Sequence, residues 1–140
     1  AQQMFAQFGD AIVLGLDARD GMVATAGWRE DSGLPAVHFA EAMERAGCRR
    51  IIFTDIARDG TLAGPNAAAL REVAEAVEIP VVASGGVHKA TDVRILRNIP
   101  GVEGIIVLVR GKPRIVLSAT LLQRSVLVEV DSKWLAPQGD

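Results

Sequence analysis

The sequence predicts an α/β fold of four parallel β/α units, half of a (β/α)8 TIM barrel, and three observations lead there. Short apolar runs rich in Val and Ile recur along the chain, as strands buried in a parallel sheet do. Between them apolar residues return at helical spacing, with Pro, Asn and Gly at the boundaries,. The length of 140 residues suits one ordinary domain, whereas a complete eight-unit barrel takes about 250.

The first run, Ala11 to Leu16, reads as a strand buried on both faces, with Asp17 at its C-terminal end,. A long loop follows, and then Val37, Ala40, Met43 and Ala46 mark a helix from Pro35 to Ala46 that Gly47 can stop,. Ile51 to Phe53 is the second strand, ending at Thr54 and Asp55, and Pro65 and Asn66 open its helix,. Pro80 to Ala83 is the third, leading into Ser84-Gly85-Gly86 and a helix from about Thr91 to Leu96. Gly104 to Val109 is the fourth. Helices between successive strands rule out hairpins, so these strands should be parallel. Ala-Arg-Asp-Gly stands at both Ala18–Gly21 and Ala57–Gly60, a weak internal repeat one unit apart,.

Beyond Val109 the pattern loosens, which divides the chain into a half-barrel over 1–112 and a divergent segment over 113–140. Arg110 to Arg114 is basic and loop-like, and Ile115 to Leu122 fits either an outer helix or another strand. Ser125 to Val130 alternates like an edge strand, and Pro137 and Gly139 fall in a frayed tail,.

Bulk properties narrow the function classes. A net charge of -2 gives no broad basic field for nucleic acid or a membrane surface,. No run reaches the ~18 apolar residues of a membrane span, and Ala1 to Phe8 lacks the positive start of a secretory signal,. A cytoplasmic protein is expected, and the opening Ala in place of Met is expected of a processed or excised chain. Cys48 is alone, so it forms neither an intrachain disulfide nor a cysteine metal cluster and reads as a small core thiol,. His38 and His88 have no ligand-spaced partners, so no metal site is expected,.

In parallel β/α architectures reactive groups gather where strands end and loops meet, and Asp17, Thr54 and Ser84 occupy such ends. Asp17 can serve as a general acid, with Arg19 orienting a substrate or a phosphate, or it can be a structural loop carboxylate. Ser84-Gly85-Gly86 leaves little bulk over backbone N–H groups that can meet phosphate oxygens, although Gly-Gly also makes ordinary turns. Asp59-Gly60-Thr61 can shape a ligand loop or a simple turn. Thr54 can bind ligand, or serve as a good strand residue. Trp28 can stack on a planar heterocycle or pack as a lid.

Taken together, Gly15-Leu16-Asp17-Ala18-Arg19-Asp20-Gly21, Ala26-Gly27-Trp28, Phe53 to Thr61 and Ala83-Ser84-Gly85-Gly86-Val87 closely resemble the second half of the histidine-biosynthesis ribotide isomerases, HisA, over about Gly9 to Val107. The sibling HisF cyclases share the half-barrel plan, but Thr-Asp-Ile-Ala-Arg-Asp-Gly-Thr and the Gly-Trp loop look more like the isomerase. The resemblance implies an Amadori-type aldose-to-ketose rearrangement of an aminoimidazole carboxamide ribotide with two phosphates, using neither metal nor organic cofactor.

It also implies Asp17 as general acid, Thr54 as a second catalytic residue, and Arg19, Trp28, Asp59, Gly60, Thr61, Ser84, Gly85 and Gly86 as substrate or phosphate contacts. The family's other catalytic Asp lies on the first barrel strand, upstream of everything present here. Where the family has a Gly-containing phosphate loop after the last strand, this chain has Leu108-Val109-Arg110-Gly111-Lys112-Pro113. An open four-stranded sheet leaves two unpaired edges, so a homo-oligomer or a complementing N-terminal half-barrel is expected as partner, with a phosphorylated small molecule or phosphate ion as ligand.

Overall fold

A computed structural model describes residues 2–25, 30–58, 63–109, 112–119 and 124–128. Helix α1 (Gln2–Phe8) and a 3-10 turn (Gly9–Ala11) precede strand β1 (Leu14–Arg19). Strands β2 (Met22–Thr25) and β3 (Glu30–Pro35) follow, then α2 (Ala36–Arg45), β4 (Ile51–Asp55), α3 (Ala67–Ala76), β5 (Val81–Ser84), α4 (Ala90–Leu96) and β6 (Val102–Val109). Strands β7 (Lys112–Ala119) and β8 (Arg124–Val128) close the described chain. One sheet holds all the strands in the order β3-β2-β1-β4-β5-β6-β7-β8.

The expected α/β fold is there, with β1, β4, β5 and β6 mutually parallel at the centre of the sheet. Helices α2, α3 and α4 fill the three connections. Leu16, Phe53, Ala83 and Ile105 are buried on the face that meets Ala40, Leu70, Val73 and Leu96 of the helices. Each fully buried Leu or Ile contributes about 1.5–3 kcal/mol, and Leu16, Ile51, Leu96 and Ile105 are all at most 1% exposed. Cys48 belongs to this core as a free thiol.

The opposite face is a correction to the sequence reading. The first strand is not buried on both sides: Gly15 is exposed, Asp17 is half-buried and Val13, just before the strand, is 39% exposed. Strand side chains alternate, and α2, α3 and α4 all pack on the other side of this sheet. The strand also starts later than expected, at Leu14, because pairing with Ile51 fixes its beginning. Asp17 consequently lies within the strand instead of just beyond it.

Two hairpins also depart from expectation. The segment read as a long first loop contains β2, antiparallel to β1, and β3, antiparallel to β2. Its cause is local: Asp20 and Gly21 both take positive φ, 51° and 79°, as the two-residue turn that best matches strand twist requires. At the other end Ile115 lies in a strand, one of the two readings its segment allowed, and β7 pairs antiparallel with β6 from Val109↔Lys112 to Gly104↔Leu117. Strand β8 then pairs with β7. The outer edge of β6 is therefore covered, against the expectation of two open edges.

Polar ties fix the ends of the sheet opposite the candidate residues. Glu44 Oε1 in α2 accepts the N–H groups of Glu78 (2.7 Å) and Ile79 (3.1 Å) ahead of β5, and Arg50 pairs with Glu103 across β4 and β6. Core truncation should therefore be felt through the whole sheet. Ile51→Ala is expected to lower unfolding free energy by about 2–5 kcal/mol, and Ile51→Val by about 0.5–1.5, read from urea midpoints at unchanged slope.

Candidate functional site

The register of the parallel strands decides which candidates meet. Asp17 pairs with Thr54, and Thr54 pairs with Ser84. Residues in register on parallel neighbours project from the same face, about 5 Å apart between adjacent strands. The three form one half-buried row on the face away from the helices, with the carboxylate at one end, a hydroxyl beside it and a second hydroxyl beyond. Arg19, two residues after Asp17 on β1, is half-buried on the same side,. Trp28, Asp59, Gly60 and Thr61 lie outside the described residues.

Beyond the row the chain turns sharply. Gly85 and Gly86 take φ of 98° and 75°, which only glycine adopts freely. Each is also held against backbone: a Cβ on Gly85 would stand 2.6 Å from the Asp55 carbonyl oxygen, and one on Gly86 would stand 2.5 Å from that of Gly64. Both glycines are thus required by the packing of the β5–α4 turn on the β4–α3 loop. This is a cause the sequence reading left open beside phosphate binding.

Two buried carboxylates, to which sequence reasoning gave no role, organise these loops. Asp55 Oδ1 accepts the Ala57 N–H at 3.0 Å, and its Oδ2 accepts from Asn66 Nδ2 at 2.8 Å. Asn66 Oδ1 in turn accepts the Ala69 N–H at 3.2 Å and caps α3,. Asp92 Oδ2 accepts the N–H groups of His88 and Lys89 at 3.2 and 3.1 Å. His88 Nδ1 lies 3.1 Å from the Gly86 carbonyl, a contact in which only the ring nitrogen can donate, so Nδ1 carries the proton. His88 secures the turn. Among the described residues no group of three or more His, Cys, Asp or Glu is placed to hold a metal ion.

The signals for these carboxylates were incomplete. Asn66 is a good cap residue before an apolar helical pattern, but nothing local ties it to an Asp on the preceding strand. Asp92 sits at the third helical position, where a capping acid belongs, yet Lys89 replaces the usual Ser or Thr at the cap,.

A small pocket between β4, β5 and α3 is lined by Phe53, Asp55, Asn66, Leu70, Ser84 and Gly85. No helix among the described residues is long and apolar enough to cross a membrane.

The chain matches the protein family described as histidine biosynthesis protein over residues 1–108. It is 51% identical over 106 residues to the 1-(5-phosphoribosyl)-5-((5-phosphoribosylamino)methylideneamino) imidazole-4-carboxamide isomerase of Thermoanaerobacter pseudethanolicus, covering 76% of this chain and 44% of that protein. It is 54% identical over 102 residues to the isomerase of the same name from Microcystis aeruginosa, covering 71% of this chain and 40% of that protein. The chain thus spans about two fifths of the length of the curated relatives it matches, and the match ends within β6, before β7 and β8.

The glycine contacts predict a graded result. Gly85→Ala and Gly86→Ala are each expected to destabilise by more than about 2 kcal/mol, from positive φ and overpacking together. Gly15→Ala, which meets nothing within 4 Å and has no positive φ, should shift the thermal midpoint little. Calorimetry of the three variants checks the order.

Proposed function

Because the chain belongs to the histidine biosynthesis protein family, we propose that it is the second half of a cytoplasmic ribotide isomerase and turns over substrate when a first half completes the barrel. The observation that carries this reading is the row of Asp17, Thr54 and Ser84 across three parallel strands, in a chain about half identical to isomerases of that pathway. The substrate is an aminoimidazole carboxamide ribotide. The names of the relatives, with two phosphoribosyl groups on an imidazole carboxamide, supply the class.

The rearrangement is an isomerisation, so atoms and electrons are conserved within one molecule. Asp17, as acid, protonates the ribose ring oxygen while the adjacent amine nitrogen forms the imine and the ring opens. A base then takes the proton from the neighbouring sugar carbon, and the resulting enamine tautomerises to the ketose. Asp17 supplies one side of this exchange, and the base comes from the complementing half. Thr54, one strand away in register with Asp17, holds the sugar hydroxyl that becomes the carbonyl. Ser84, Gly85 and Gly86 lie at the far end of the row, where one phosphate is accommodated, and Arg19 adds a cation near the acid.

The exposed side of the sheet supports the need for a second half. Gly15 and Asp17 on β1, Val13 just before it, and Ile52 and Thr54 on β4 stand on the face away from α2, α3 and α4, and Met4 and Phe8 on α1 are half-exposed apolar side chains. A closed barrel also needs a parallel strand at the outer edge of β6, where β7 now pairs, so the complementing half exchanges with β7.

The test mixes this chain with a separately expressed first half of the Thermoanaerobacter relative. Isomerase turnover should appear only in the mixture, and Asp17→Asn should lower kcat by about 10²- to 10⁴-fold with little change in thermal midpoint. A mixture that assembles yet stays inactive sinks the proposal. On mixing, amide exchange should quicken across Lys112–Ala119 while Val102–Val109 stays protected, as read by mass spectrometry.

A further inference from the structure

We infer that Asp55 is a positioning residue that holds the β4–α3 loop against the Gly85–Gly86 turn, acting through Asn66. The inference goes beyond the isomerase reading, and depends on it only for the kinetic arm of its test. Asp55 is one of two buried charged residues among those described, at 5% exposed. A carboxyl group at that burial needs a hydrogen-bond partner at each oxygen. Here the answer comes from the two ends of one loop, the Ala57 N–H and the Asn66 amide.

The same residue is fixed from both sides through its backbone. Its carbonyl accepts the Arg58 N–H at 3.1 Å, and the next amide, Ile56 N–H, donates to Ala18 on β1 at 3.0 Å. Gly85 lies against the Asp55 backbone, and Gly86 lies against Gly64 and the Arg58 side chain. Releasing the carboxylate would free Asn66, and with it the Gly64 backbone that Gly86 packs on. Asp55 faces the helix side of the strand, in register with Ala18. It is therefore no part of the row of Asp17, Thr54 and Ser84, and reaches the site only through the loops.

Hydrogen-bond polarity makes the idea testable without removing bulk. In Asp55→Asn one new N–H must face the Asn66 amide donor. Asn66 can answer it only by turning its amide, which removes the oxygen that caps Ala69. In Asn66→Asp two carboxylates face each other across the present 2.8 Å contact. In the double variant Asp55→Asn/Asn66→Asp each polar atom regains a partner: Asn at 55 accepts from Ala57 and donates to Asp at 66, whose second oxygen caps Ala69.

The experiment uses the full chain with each single variant and the exchange. In the free chain, trypsin cleavage after Arg58 should accelerate about tenfold or more in both single variants, the loss of one charge-assisted hydrogen bond, and return to near the parent rate in the double variant. In the complemented barrel the single variants should raise KM more than they lower kcat, and the double variant should recover both. Unchanged cleavage in the single variants overturns the inference, and so does a double variant no better than they are. If the parent mixture itself shows no turnover, the isomerase reading fails and the cleavage comparison alone decides the role of Asp55.

Discussion

The pairing of Leu16 with Phe53, and of Phe53 with Ala83, decides which side chains meet the helices and, because strand residues alternate, which are left on the other face. A shift of one residue on any of these strands would carry its apolar set out of the core and its polar residue in. The burial of Leu16, Ile51, Phe53 and Val81 is therefore also what aligns Asp17, Thr54 and Ser84. Packing energy on one face and chemical geometry on the other are set by the same contacts, so the candidate row needs no separate stabilisation.

The loops at that end of the sheet are held by a different kind of interaction. Asp55 and Asp92, both nearly buried, answer their charge with N–H groups from the loops they follow or precede. Gly64, Gly85 and Gly86 let the two loops approach at backbone distance. A buried carboxylate left without such donors would cost several kcal/mol, so the loop conformations and the charges stabilise each other. His88 belongs to this arrangement, which explains a histidine that has no chemistry assigned to it.

At the two sides of the parallel core the sheet ends in hairpins of different origin. The β1–β2 hairpin lies within the family match and follows from Asp20-Gly21. The β7–β8 hairpin lies beyond it and shields the hydrogen-bonding edge of β6, as proteins commonly do with exposed edges. It occupies the side on which a barrel closes.

From the sequence alone came the four parallel strands, the helices between them, the core role of Cys48 and the strand ends bearing Asp17, Thr54 and Ser84. Each rests on local periodicity or on residues at a boundary, and such signals survive without knowledge of neighbours. Asp20-Gly21 was equally local but was read as a repeat instead of a turn, so the first hairpin went unseen. What only the tertiary structure decided is register, edge cover and the partners of buried charge. Asp55 and Asn66 are eleven residues apart in the chain, and nothing in either predicts that the two will meet. Contacts made across space depend on how whole strands and loops pack, and the sequence carries no period that marks them.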